Sequence, residues 1–196
     1  MKFLVNLMEQ MDILKQSLSN APVIWKGDYP YFIHPITDGV PRLNPHVLEA
    51  IIDLSCELVN WQDIDVILGI EAMGLPLLAP LSVRTGIPMV IARKRQYGLE
   101  GEIEISQETG YSKGSLFLND IKPGERIAII DDVLSTGGTM KCVIEGIRKT
   151  GATIQNTIIV VEKGDGMERL KSDYPNIQFD SLVKLEMIGD RIVILN

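Results

Sequence analysis

Cysteine, histidine, positive charge and long apolar runs are all scarce in this chain, and each scarcity removes a class of protein. Two cysteines among 196 residues cannot make a disulfide framework. Cys56 and Cys142 both fall in helix-like segments, where a lone cysteine serves as a small buried hydrophobe; a disulfide or a shared metal between them is the lesser alternative. That usage fits a reducing compartment. No stretch of about 18 apolar residues occurs, so no membrane-spanning helix is expected. The opening "MKFLVNLMEQMDILKQSLSNAP" is interrupted at helical spacing by Glu9, Asp12 and Lys15, and no small-residue cleavage site comes after an apolar core. It reads as an amphipathic helix ended by Pro22, not a signal peptide, and the protein is expected in the cytoplasm. Nineteen Lys and Arg stand against 26 Asp and Glu, a net charge of −7. Such a surface repels a nucleic-acid backbone, and the basic cluster Arg93-Lys94-Arg95 is too short to be a nucleic-acid arm. Neither nucleic acid nor membrane is an expected partner.

The composition is globular, 45% hydrophobic and 23% charged, in a chain long enough for one domain with a small subdomain. Residues 26–45 hold Gly27, Pro30, Pro35, Gly39, Pro41 and Pro45, a density of turn formers that predicts irregular structure and separates an N-terminal cap from the sheet domain. "PHVLEAIIDLSCELVN" has helical periodicity with proline near its start. "DVILGI" (65–70), "PMVIA" (88–92), "SLFL", "RIAIID" (126–131) and "TIIVVE" read as strands. "LPLLAPLSVRTG" and "TMKCVIEGIRKTG" read as helices between them, and "LVKLEMIGDRIVIL" as a final hairpin turning at "GD". Residues 95–114, polar and rich in Gly and Glu, predict a long mobile loop, with Gly98, Gly101, Gly110 and Gly114 as hinges of a lid. Strands alternating with helices imply an α/β fold with a mostly parallel central sheet.

In such a sheet ligands bind beyond the carboxyl ends of the strands. "IAIIDDVLSTGGT" puts Asp131 and Asp132 there, succeeded by small residues, hydroxyls and two glycines just before a helix. A glycine-rich approach to a helix N-terminus suits a monophosphate. The lysine of a triphosphate-binding loop is missing. Two acids beside an anion site suit vicinal hydroxyls and Mg²⁺, held directly or through water, so the stretch describes a ribose 5-phosphate site. The plainer alternative is that the aspartates merely cap the turn or helix. Glu71 and Arg93 come after two other strands at the same edge.

The stretch 127–139 resembles the 5-phosphoribosyl-1-diphosphate (PRPP) motif of type I phosphoribosyltransferases. "GIEAMGLPLLAPLSVRTGIPMVIARKRQYGLEGE" is similar to a segment of the adenine enzymes, and "HPITDGVP", "EAMG" and "RKRQYGL" together resemble the archaeal hypoxanthine/guanine branch. The resemblance implies the type I fold, with residues 1–45 as an N-terminal helix and hood over the base and residues 46–196 as the core. It implies a homodimer that joins PRPP to a purine base with Mg²⁺, releasing pyrophosphate. By the same resemblance Asp131 and Asp132 receive the ribose hydroxyls. Ser135, Thr136, Gly137, Gly138 and Thr139 hold the 5-phosphate. Glu71, Ala72, Met73 and Gly74 form the pyrophosphate loop, and Arg93 and Lys94 its basic pair. Met73 departs from the arginine of the adenine enzymes, leaving that contact to Arg95 or a partner subunit, and Ser135 replaces the aspartate of the usual hypoxanthine enzymes. "ETGYSKGSLFL" offers Glu108 as the group that handles the purine N7 proton; an ordinary solvated glutamate is the alternative. His34 and His46 lie in or beside the hood, where a structural role is the commoner one, and Tyr29, Tyr31 and Phe32 could stack on a purine or pack the hood. Competing readings are an adenine enzyme, a PRPP- or nucleotide-sensing regulator, and a binding domain without turnover.

Overall fold

A computed structural model describes residues 2–109 and 112–195. The amphipathic N-terminal segment forms α1 (Lys2–Ser19), after which come two short strands, β1 (Val23–Lys26) and β2 (Tyr29–Phe32), and a single turn, α2 (Pro35–Asp38). Residues 26–45 are therefore not simply irregular. Gly27, at φ +63°, opens a two-residue turn with Asp28 that closes a β1–β2 hairpin. Pro30 is tolerated because a two-stranded ribbon has unpaired edges.

α2 is capped by His34. Its Nδ1 accepts from the Ile36 N–H at 3.2 Å, so in the neutral ring Nε2 carries the proton and donates to Ser17 Oγ at 2.9 Å. Burial lowers the His34 pKa to about 4, with the nearby Asp38 carboxylate opposing the shift. The histidine is thus a neutral strut between α1 and α2.

The core is a six-stranded sheet in the order β10-β9-β8-β7-β3-β4, made by β3 (Val66–Ile70), β4 (Met89–Ala92), β7 (Arg126–Leu134), β8 (Thr153–Lys163), β9 (Gln178–Ile188) and β10 (Arg191–Ile194). All neighbours are parallel except β10, which turns back on β9 at Gly189-Asp190 as the hairpin expected. Helices α3 (Pro45–Leu58), α4 (Leu75–Thr85), α5 (Gly138–Thr150) and α6 (Gly166–Asp173) complete the layers. Alternation along β7 feeds both faces. Ala128 and Ile130 pack with Leu14, Phe32, Ile36, Ile51 and Leu78, while Ile127 and Ile129 pack with Val143, Ile144, Ile147 and Leu170.

Residues 95–114 differ from the loop expected. β5 (Ile103–Thr109) and β6 (Ser112–Leu118) pair antiparallel, and Arg93 bridges to Phe117. Ile105, Leu116 and Leu118 bury one face of this ribbon against α5, where a Cβ added to Gly146 would lie 2.4 Å from Ile105 Cδ1. Some of the glycines and glutamates that suggested a loop precede the ribbon, and others take exposed positions on its strands. Gly98 and Gly101 take positive φ before the ribbon begins, and Glu104 is exposed. The expected hinge Gly110 lies outside the described residues. α6 was not anticipated.

Candidate active site

Chain direction across the sheet reverses between β3 and β7. From β3 the path goes outward to β4, and from β7 it goes the other way to β8 and β9. At such a switch point the loops leaving adjacent strands part and open a crevice beyond their carboxyl ends. The two acids lie at this place, Asp131 within the strand as expected, but β7 continues past it to Leu134, so Asp132 is a strand residue too. Each is buried, at 9% exposure. Burial, and next the charge of Asp132, pushes the Asp131 pKa well up; burial also raises that of Asp132, to which Asp38 adds. Two adjacent buried carboxylates with raised pKa values form a site waiting for hydroxyl donors or a cation. No third acid, histidine or cysteine joins them in a metal-holding cluster among the described residues.

Asp131 lines a cavity of about 180 Å³ together with Ser135, Thr136, Gly137, Gly138 and Thr139, so the structure brings most of the expected phosphate site together. Gly137 takes φ +79° immediately before α5, whose first turn presents backbone N–H groups that lack intrahelical partners by geometry. The loop is held from behind by α6. The Gly166 N–H donates to the Ser135 carbonyl at 3.0 Å, and Arg169 Nη2 donates to the Thr136 carbonyl at 3.3 Å. A Cβ on Gly166 would fall 2.2 Å from the Ser135 oxygen, so only glycine permits this approach. Gly166 and Arg169 were missed because nothing local in "GDGMERL" announces a contact with a loop thirty residues earlier.

The turn Glu71–Gly74 abuts β7. Its Glu71–Ala72 peptide is cis. A Cβ on Gly74 would meet the Ile70 backbone at 2.6 Å and the Ile130 carbonyl at 3.3 Å, next to Asp131. Glu71 Oε2 accepts from the Lys94 N–H at 3.0 Å and lies 2.9 Å from Arg93 Nε, so the structure brings the acid and the basic pair together. Met73, in place of an arginine, reaches the hood: a Cβ on Gly39 would sit 3.3 Å from its sulfur. Glu102 ties down the segment after the basic pair, accepting from Tyr97 N–H, Gly98 N–H and Asn119 Nδ2 at 2.9, 3.0 and 3.1 Å.

A second cavity of about 140 Å³ adjoins the phosphate site, sharing Val133 and Ser135 with it, and is lined by Tyr31, Phe32, Thr37 and Lys163. Tyr31 and Phe32 were named from sequence; Thr37 and Lys163 were not. Lys163 ends β8, and the rule that drew attention to Arg93 at the end of β4 would have found it. Glu108 lies on β5 opposite Lys113, with its side chain outside the described residues.

The sequence matches the phosphoribosyl transferase domain over residues 43–187. The hypoxanthine/guanine phosphoribosyltransferase of Methanohalophilus mahii is 49% identical over 185 residues, covering 94% of this chain and 96% of its own. That of Methanotorris igneus is 45% identical over 183 residues, covering 93% and 100%. Among solved structures, adenine phosphoribosyltransferase from Rhodothermus marinus superposes with a TM-score of 0.71 at 21% identity, over 91% of this chain and 99% of that one. That likeness concerns the fold. The domain match and the extent of these identities lead to one conclusion: the chain belongs to the phosphoribosyl transferase family and has the type I phosphoribosyltransferase fold.

Proposed function

We propose that the protein is a purine-salvage enzyme, a hypoxanthine/guanine phosphoribosyltransferase that converts PRPP and hypoxanthine or guanine into IMP or GMP and pyrophosphate. The observation that carries this reading is a pair of adjoining cavities that share Val133 and Ser135. A phosphate-sized cavity made by Ser135–Thr139 contains Asp131 and shares a wall with a second cavity lined by an aromatic hood and Lys163. The names of the relatives support the same substrates.

In this reading the backbone of residues 135–139 anchors the 5-phosphate, while Asp131 and Asp132 accept from the ribose hydroxyls. Arg93, Lys94 and the Glu71–Gly74 turn lie on the pyrophosphate side. Breaking the C1–O bond sends its electron pair to pyrophosphate and leaves positive charge on the ribose. The buried carboxylates stabilise the latter, and the basic pair stabilises the former. The base nitrogen then bonds to C1 and the base loses a proton, for which Glu108 is our candidate acceptor. Mg²⁺ fits as a companion of PRPP. Two adjacent buried acids cannot enclose a metal alone, but Mg²⁺ typically takes one or two carboxylates, waters and substrate phosphates. When bound, it neutralises charge on the leaving pyrophosphate.

Residues 1–45 form the hood, with Tyr31, Phe32 and Thr37 over the base. The ammonium of Lys163 can only donate, which suits the oxygen at position 6 of hypoxanthine and guanine better than the amino group of adenine. We further propose a cytoplasmic homodimer; no described helix is long and apolar enough to cross a membrane. Purified protein incubated with PRPP, Mg²⁺ and hypoxanthine should yield IMP and pyrophosphate in equal amounts. Pyrophosphate release without nucleotide, or no turnover with any purine, would overturn the proposal.

A further inference from the structure

Asp38 is the last residue of α2 and faces the hood from within. Its carboxylate accepts three hydrogen bonds: from the Tyr31 hydroxyl at 2.7 Å to Oδ1, and from the Thr37 hydroxyl at 2.7 Å and the His34 N–H at 3.1 Å to Oδ2. Two of these donors, Tyr31 and Thr37, also line the cavity beside the phosphate site. A hydroxyl has one proton and two lone pairs, whereas a carboxylate has no proton to give. The direction of both hydrogen bonds is therefore fixed. A second acceptor within reach of the Thr37 hydroxyl is the His34 carbonyl at 3.3 Å, which also lies in the hood. Either way its proton stays away from the cavity.

We infer that Asp38 is a positioning residue that sets base specificity, by holding the protons of Tyr31 and Thr37 in the hood so that both hydroxyls offer the cavity only acceptor lone pairs. This rests on the assignment of the second cavity to the purine. The same cavity is lined by Lys163, a pure donor whose ammonium lies 5.7 Å from the centre of the Phe32 ring. Acceptors and a donor lining one cavity match a base edge that has an N–H next to a carbonyl oxygen. Hypoxanthine and guanine have that edge: N1 carries a proton and position 6 an oxygen. Adenine reverses both, with a lone pair at N1 and an amino group at position 6. A site built to hydrogen-bond a substrate rejects an analogue of reversed polarity because its own polar groups are left unpaired.

The arrangement is held in place by elements remote from the base. His34, whose N–H completes the set around Asp38, is itself fixed by Ser17 on α1 and by Ile36. The carboxylate therefore cannot swing toward the cavity without breaking three bonds.

Asp38→Asn tests the inference with little change of shape. An amide keeps one acceptor oxygen, which the donating His34 N–H holds on its own side together with Thr37, and replaces the other by a donor beside Tyr31, so the Tyr31 hydroxyl must accept from it and turn its own proton toward the cavity. The ratio of kcat/KM for hypoxanthine over adenine should fall at least tenfold, driven by the loss with hypoxanthine. A general loss of folded protein would lower both values equally and leave the ratio alone. Where Asp38→Asn gives no folded protein, Thr37→Val against Thr37→Ser carries the test. The serine variant should keep the wild-type ratio, and the valine variant should lose it. Wild-type protein active with hypoxanthine, but with an unchanged ratio in Asp38→Asn or in Thr37→Val, overturns this inference alone. Wild-type protein inactive with every purine overturns the phosphoribosyltransferase reading and this inference with it.

Discussion

Gly166→Ala should damage the phosphate site from behind. A Cβ at this position would lie 2.2 Å from the Ser135 carbonyl oxygen and 2.7 Å from both Gly137 N and Thr136 C, where real contacts do not fall below 3.0 Å. Reaching that limit requires a retreat of 0.8 Å (3.0 − 2.2), and no side-chain rotation can supply it because every atom met is backbone. The retreat also stretches the 3.0 Å hydrogen bond from Gly166 N–H to the Ser135 carbonyl, worth about 1 kcal/mol. The loop proposed to anchor the 5-phosphate would therefore be displaced by about 1 Å, a misplacement that can cost on the order of 100-fold in rate, or about 3 kcal/mol. Steady-state kinetics with PRPP as the varied substrate should show kcat/KM reduced on that scale. The KM for hypoxanthine should change less, since Ser135 is the one residue of the displaced loop among the six that line the second cavity. A thermal melt would show a protein still folded. Wild-type kcat/KM for PRPP in a folded Gly166→Ala protein would refute the view that α6 positions the loop.

Asp132→Asn keeps the shape of the side chain but removes a buried negative charge beside the developing cation, and should lower kcat about 100-fold at saturating PRPP; wild-type turnover would contradict the ribose assignment. Turnover should vanish in excess chelator and return with added Mg²⁺ or Mn²⁺; activity that survives chelation would reject the part given to the metal. The His34 pKa is lowered from 6.5 to about 4, so the neutral-ring contribution is complete above the unfolded value and fades as pH falls from 6.5 toward 4. Urea unfolding should accordingly show about 2 kcal/mol less stability at pH 5 than at pH 7 from this group, a difference that His34→Gln should reduce and that an unchanged slope would disprove. Glu108→Gln should slow nucleotide formation at least tenfold while PRPP affinity stays constant; a variant as fast as wild type would remove Glu108 from the mechanism.

The phosphate site was legible because it is contiguous. A ligand held by backbone N–H groups demands small residues in a row before a helix, and Ser135 to Thr139 spell that demand out. Strands β3, β4 and β7 were legible for a similar reason, each being a short apolar run bounded by turns. The second cavity, proposed to hold the base, was less so, since it gathers Tyr31, Phe32 and Thr37 from β2 and α2, Val133 and Ser135 from the end of β7 and the loop after it, and Lys163 from the end of β8. Of the β5–β6 ribbon only the end of β6, "SLFL", was legible as a strand; the rest escaped because its single buried face shows only a few apolar residues among Glu and Gly, a pattern that composition reads as loop. α6 escaped because eight largely polar residues give too little periodicity, although Met167 and Leu170 are buried beneath it. The continuation of β7 past Asp131, through Asp132 to Leu134, also escaped, since acids ordinarily end a buried strand. Here the crevice at the switch point gives them a polar opening.

The central claim is that this crevice transfers phosphoribosyl groups to 6-oxopurines. It is tested most directly by measuring kcat/KM with PRPP–Mg²⁺ for hypoxanthine, guanine, adenine, xanthine and uracil in parallel, monitoring nucleotide formation. Hypoxanthine and guanine should give the highest values, with adenine at least tenfold lower and no turnover of uracil. Adenine preferred over hypoxanthine, or nucleotide formed from none of the five, would contradict it.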